Sequence, residues 1–172
     1  IEELDLSGMV SLVEVYADPT GAKRINVSEC TNLRVLACVE SERLIDLNIT
    51  GCVSLDSLWI HTTPLTKLDL STNVALKNLD IAQTNLESLD VSNNIALEML
   101  HCQYMNNTRF AVPDLSKNSE LKTFFFGPSN STRTIDVSKN RKLELLNAYD
   151  CGLTSLDVSQ NARLQALSVS EN

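Results

Sequence analysis

A four-residue signature, apolar–Asp/Asn–apolar–Ser/Thr, recurs eight times along the 172-residue chain. It stands at Leu4–Ser7, Ile25–Ser28, Leu47–Thr50, Leu68–Ser71, Leu89–Ser92, Pro113–Ser116, Ile135–Ser138 and Leu156–Ser159. Its polar second position advances by 21, 22, 21, 21, 24, 22 and 21 residues. A period this short and regular marks repeating units that cannot bury a core singly and must stack to do so.

The rest of the unit repeats in step. One apolar column runs Leu12, Leu33, Leu55, Leu76, Leu97, Leu121, Leu143, Leu164, and a second follows three residues later: Val15, Leu36, Leu58, Leu79, Leu100, Phe124, Leu146, Leu167. A third lies two further on: Ala17, Cys38, Ile60, Ile81, Cys102, Phe126, Ala148, Val169. Apolar residues two apart with a polar one between them form a short strand whose alternate side chains face inward. Each unit thus carries two strand-like pieces separated by turns. Eight stacked coils at sheet spacing make a rod roughly 35 Å long. Aromatics are only 5% of the chain against 43% apolar residues, so the core is built from aliphatic layers.

A polar column accompanies the apolar ones. Asn73, Asn94, Asn118, Asn140 and Asn161 recur at one position, and an amide has donors and an acceptor with which to bind the turns of adjacent coils. These residues read as a structural ladder. Cys30 and Cys52 occupy the same position in earlier, neighbouring coils. A coil step of ~4.8 Å lies within disulfide range, so the pair stands open between a disulfide and two reduced thiols. Cys151 has no evident partner, and five cysteines are too few for a disulfide framework in a chain of this length.

Chemistry-bearing motifs dissolve into the repeat. The Asp-x-Ser-x-Asn runs at Asp69, Asp90, Asp114, Asp136 and Asp157 lack the turn glycine and bidentate Glu of a calcium loop. Each Asp is expected to bond its own turn instead. Strand alternation sends Cys102 inward and the adjacent His101 outward, so they form no catalytic pair. No metal site, cofactor or catalytic residue is expected. A net charge of −8 opposes a nucleic-acid partner, which needs clustered cations, and no apolar run is long enough to span a membrane. A single domain over residues 1–172, a piece of a longer chain and monomeric, is the expected organisation.

Residues that the repeat does not dictate remain as functional candidates. Outward sheet positions read Tyr16, Ala37, Trp59, Asp80, His101, Phe125, Asn147, Ser168, and in the next column Asp18, Val39, His61, Ala82, Gln103, Gly127, Tyr149, Ser170. Tyr16, Trp59, His61, Asp80, His101, Gln103, Phe125 and Tyr149 therefore form the candidate ligand face, because exposed aromatics are favoured interface anchors. The unit is three residues longer around Met105–Arg109, and that stretch together with Phe110 is expected to loop out of the solenoid; Gly127–Asn130 reads as another irregular turn.

The order Leu-x-x-Leu-x-Cys followed by Leu-Asp-Val-Ser-x-Asn resembles the leucine-rich-repeat family, specifically the 21-residue cysteine-containing repeats of the internalin J type and of secreted Bacteroidetes surface proteins. Cys38 and Cys102 stand where that type places an inward cysteine ladder. The resemblance implies a right-handed solenoid, with a parallel sheet on its concave side and short strands or turns on the convex side. It implies a bacterial surface or secreted protein, non-catalytic, that engages a protein or glycan ligand on the concave face in adhesion. The alternative is a structural spacer or an intracellular interaction scaffold. Fold resemblance alone does not choose between them.

Overall fold

A computed structural model describes residues 1–107, 110–128 and 132–172. Eleven short strands make two parallel sheets, and among the described residues there is no helix. Strands β1 (Glu3–Asp5), β3 (Arg24–Asn26) and β5 (Asp46–Asn48) form the smaller sheet. The larger has eight strands: β2 (Glu14–Tyr16), β4 (Val35–Ala37), β6 (Ser57–Trp59), β7 (Asn78–Asp80), β8 (Met99–Gln103), β9 (Thr123–Gly127), β10 (Leu145–Ala148) and β11 (Ala166–Ser168). Apart from the alternation with the smaller sheet, they pair in chain order, so each turn of the solenoid adds one strand to the edge left by the one before.

Register follows the sequence columns. Leu36 pairs with Leu58, Leu58 with Leu79, Leu79 with Leu100, Leu100 with Phe124 and Phe124 with Leu146. Five of the six side chains in this column are aliphatic, and all six are fully buried. Phe110, Phe124 and Phe126 supply the bulk where the repeat lengthens, with ring centroids 6.5 Å apart for Phe110–Phe126 and 6.0 Å for Phe124–Phe126. Phe110 is therefore core, not part of a looped-out segment. Of the expected excursions, Thr108 and Arg109 in one, and Ser129 and Asn130 in the other, lie outside the described residues.

On the side opposite the large sheet, strands persist only through β5. From Leu65 onward the chain makes isolated bonds on this side, such as Asn85 N to Leu65 O at 3.0 Å. There the Asp positions serve as turn-formers. Asp5, Asp69, Asp90, Asp114, Asp136 and Asp157 each accept, through Oδ1, the amide hydrogen of the Ser two residues on, at 2.8–2.9 Å. Asn26 and Asn48 do the same for Ser28 and Thr50.

The asparagine ladder closes the corner. Asn94 Nδ2 donates to Leu70 O and Asn73 O, Asn118 to Val91 O and Asn94 O, and Asn140 to Leu115 O and Asn118 O, at 2.8–3.2 Å. Asn73 and Asn161 make the equivalent pairs. Both donors are thus spent on the preceding coil, while the five Oδ1 atoms are buried and accept nothing.

Candidate ligand-binding face

The outer face of the large sheet is positioned by strand alternation. In β6, Leu58 points to the core and Trp59 away from it; in β8, Leu100 and Cys102 are buried while His101 is half-exposed. His101 and Cys102 therefore look to opposite sides of the sheet. Ladder register then sets Trp59 beside Asp80, Asp80 beside His101 and His101 beside Phe125.

Those neighbours interact. Asp80 Oδ2 lies 3.2 Å from His101 Nδ1, and its Oδ1 accepts the Ala82 amide hydrogen at 3.0 Å. Burial pushes the Asp80 carboxyl pKa upward. The His101 hydrogen bond, the Ala82 amide and the charges of His101 and His61 outweigh it and hold the group below its ordinary value. The His101 ring packs on Phe125 at 5.2 Å between centroids, tilted by 58°. Trp59, His61, His101, Phe125 and Tyr149 are all half-buried. Large side chains held in place yet open on one side are a preorganised surface.

Two expected positions differ from a simple outward reading. Asp80 and Gln103 are only 9% and 7% exposed. At a strand spacing of ~4.8 Å, Asp80 is covered by its larger ladder neighbours, Trp59 and His101. Tyr16, by contrast, is 66% exposed at the far edge, its hydroxyl donating to Glu14 Oε2 at 3.3 Å. It lies four rungs from His101 and outside the cluster.

Two features of this face went unread in the sequence. One is a charge ladder at its entry edge: Arg34, Asp56, Lys77, Glu98, Lys122 and Glu144 alternate in sign from coil to coil. Lys77 Nζ reaches Asp56 at 3.0 Å and Lys122 Nζ reaches Glu98 at 2.6 Å. The alternation was legible at the repeat spacing. The other is the turn that follows six of the eight strands, where Glu40, Thr62, Gln83, Tyr104, Asp150 and Glu171 hold a positive φ, between 50° and 60°, with none of the glycines that normally signal this conformation.

The cysteines are thiols. Cys30 and Cys52 form no disulfide; both are buried, with Cys30 Sγ donating to Leu6 O at 3.1 Å and Cys52 Sγ to Val27 O at 3.0 Å. Each thus imitates one of the two bonds that an asparagine makes at this corner. Satisfied carbonyls leave the pair no structural need to cross-link. Burial, with a smaller contribution from Asp18, pushes the Cys38 thiol up to about 12, and burial likewise raises Cys102. Among the described residues no three His, Cys, Asp or Glu side chains converge as metal ligands, and no helix is long and apolar enough to cross a membrane.

No protein-family model matches the chain, and no curated protein matches it. Among solved structures, it is similar to the functional domain of InlJ from Listeria monocytogenes, which includes a cysteine ladder, at 24% identity and a TM-score of 0.56. The likeness covers 94% of this chain and 45% of that one, so the chain spans under half the length of its structural neighbour. With its parallel strands, its 21–24-residue coils and its asparagine corner, the chain has the fold of an internalin-type leucine-rich-repeat solenoid.

Proposed function

We infer that the chain is a non-catalytic binding module of a bacterial surface or secreted protein, engaging a protein or glycan ligand on the outer face of its large sheet. The observation that carries this reading is the contiguous run Trp59–Asp80–His101–Phe125, with His61 and Tyr149 in the adjoining column. The repeat needs none of these side chains, since the same outward positions hold Ala37, Asn147 and Ser168 in other coils. A half-open aromatic cluster around the Asp80–His101 contact gives a ligand both contact area and polar anchoring. The internalin-type fold supports the surface-protein assignment.

Capture on an array of glycans and host extracellular proteins tests the reading. Trp59→Ala and Phe125→Ala should each weaken capture at least tenfold, equivalent to about 1.4 kcal/mol, with unchanged far-UV circular dichroism. Capture that neither substitution alters would remove this face from consideration. A spacer whose repeats only separate other domains would capture nothing on the array.

A further inference from the structure

Beside the aromatic cluster, where the strands end in their left-handed turns, runs a trough. Two cavities of about 610 and 210 Å³ share Glu42, Thr62 and Gln83 as lining and so form one continuous depression. Together they span the range of small-ligand sites, about 300–1,000 Å³. Pro19, Thr20 and Gly21 line one end, and Asn85 and Asn106 the other.

The lining is polar and largely uncommitted. Thr62 Oγ1 donates to Gln83 Oε1 at 2.8 Å and lies 3.3 Å from His61 Nδ1, which ties the trough to the sheet face. Asn106 Nδ2 donates to Gln83 O at 3.0 Å, leaving its Oδ1 open. The Glu40 and Glu42 carboxylates, the Gln83 amide nitrogen and the Asn85 side chain meet no partner among the described residues. Thr62 and Gln83 also occupy left-handed backbone, with φ of 59° and 56°. A β-branched residue is especially disfavoured there, and glycine or asparagine would fit with less strain.

The chemistry of this lining selects the occupant. No apolar side chain larger than proline lines the trough, so a peptide would find nowhere to bury an anchor. Arg43, the one cation of the lining, is held by Glu2 at 2.7 Å, so the two carboxylates without a partner set the charge of the trough and disfavour phosphate, sulfate and acidic sugars. Acceptors alternating with amide donors suit a ligand whose every group both donates and accepts, which describes a neutral sugar's hydroxyls. Trp59, the last residue of β6 and three residues before Thr62, offers the flat apolar surface on which the face of a pyranose ring packs.

We propose that the trough from Glu40 to Asn106 is a subsite for a neutral oligosaccharide that continues onto Trp59. The proposal rests on the outer sheet face being the ligand-binding face, and names the class of ligand that it takes. Its test is amide-resolved NMR of the whole chain, titrated with cellotriose, maltotriose and chitotriose to about 10 mM, where a Kd near 1 mM is largely saturated. The expected result is that at least one trisaccharide shifts amides at 40–42, 62–63, 83–85 and 106 together with the Trp59 indole. Gln83→Gly should weaken that binding at least tenfold while the melting temperature stays level or rises, because it removes the amide and relieves the backbone. No shift with any of the three sugars, or shifts that persist unchanged in Gln83→Gly, would overturn the subsite. Binding lost in Trp59→Ala but untouched by Gln83→Gly would overturn the trough and keep the sheet face. Binding lost in Gln83→Gly but untouched by Trp59→Ala would keep the trough and overturn the sheet face.

Discussion

Substitution of Asn118 measures what the corner ladder contributes. Its Nδ2 makes two buried bonds, to Val91 O at 3.0 Å and Asn94 O at 2.9 Å. Each of those carbonyls also accepts a backbone amide within its own turn, from Asn94 and Leu97 respectively, at 3.0 Å. Asn118→Ala therefore removes two bonds but leaves neither carbonyl wholly unsatisfied. At a net value of about 1 kcal/mol per bond, the loss is about 2 kcal/mol. The Oδ1 that accepts nothing is lost with the side chain, which keeps the cost from rising further. Asn118→Cys copies the arrangement at Cys52, retains one bond, and should cost about 1 kcal/mol. Asn118→Asp keeps the volume but sets an acceptor or a charge against two carbonyls, and should cost about 3 kcal/mol or more. For a chain of this size the alanine figure corresponds to a fall in Tm of about 4–8 °C. Guanidinium unfolding followed by circular dichroism reads all three, with an unchanged m-value showing that the native state stays compact. An alanine variant within about 0.5 kcal/mol of the parent, or an aspartate variant more stable than the alanine one, would refute the ladder argument.

Other consequences are equally direct. Cys52→Asn should add the second bond, to Cys30 O, that every asparagine of the ladder makes to the preceding coil, raising stability by about 1 kcal/mol in the same assay. Gly127 has a φ of 104°, and a Cβ there would stand 2.1 Å from Tyr149 O and 2.7 Å from Cys151 Sγ; Gly127→Ala should cost about 3 kcal/mol, seen as a lower denaturation midpoint. In Asp69, Asp90, Asp114, Asp136 and Asp157 the bonds from the following serine hold the carboxyls below their ordinary value. A lowered folded pKa contributes stability that is present above the unfolded value, about 3.9, and is lost as pH falls through the folded one. The unfolding midpoint should therefore hold level down to about pH 5 and drop below about pH 4, less steeply in an Asp90→Asn, Asp136→Asn double variant whose amides still accept the turn hydrogen as Asn26 and Asn48 do.

The solenoid was readable because its cause is a period. Leu36, Leu58, Leu79 and Leu100 recur at a spacing that only stacked coils can bury, and the register places them side by side. The asparagine corner was readable for the same reason, since an amide at a fixed apolar-flanked position has turns to satisfy. The face was only half readable. Alternation told which side Asp80 was on but not that it would be covered, because burial depends on the size of the neighbours one coil away, here Trp59 and His101. The trough was not readable at all. Turn geometry is normally announced by glycine or asparagine, and Glu40, Thr62 and Gln83 conceal it. Its polar lining comes together only when residues separated by one repeat stand in adjacent coils. The smaller sheet shows a similar limit: Leu68-Asp69-Leu70 carries the same signature as Leu47-Asn48-Ile49, yet only the earlier copies pair as strands.

Trp59 is the one tryptophan of the chain and sits half-buried at one end of the proposed face, beside the trough, so its fluorescence reports on ligand engagement. The decisive measurement is its emission while the chain is titrated with each glycan or protein that captures it on the array. A saturable blue shift whose midpoint matches the capture affinity is the predicted result. Capture at full affinity with Trp59 emission unchanged would contradict the assignment of the binding face.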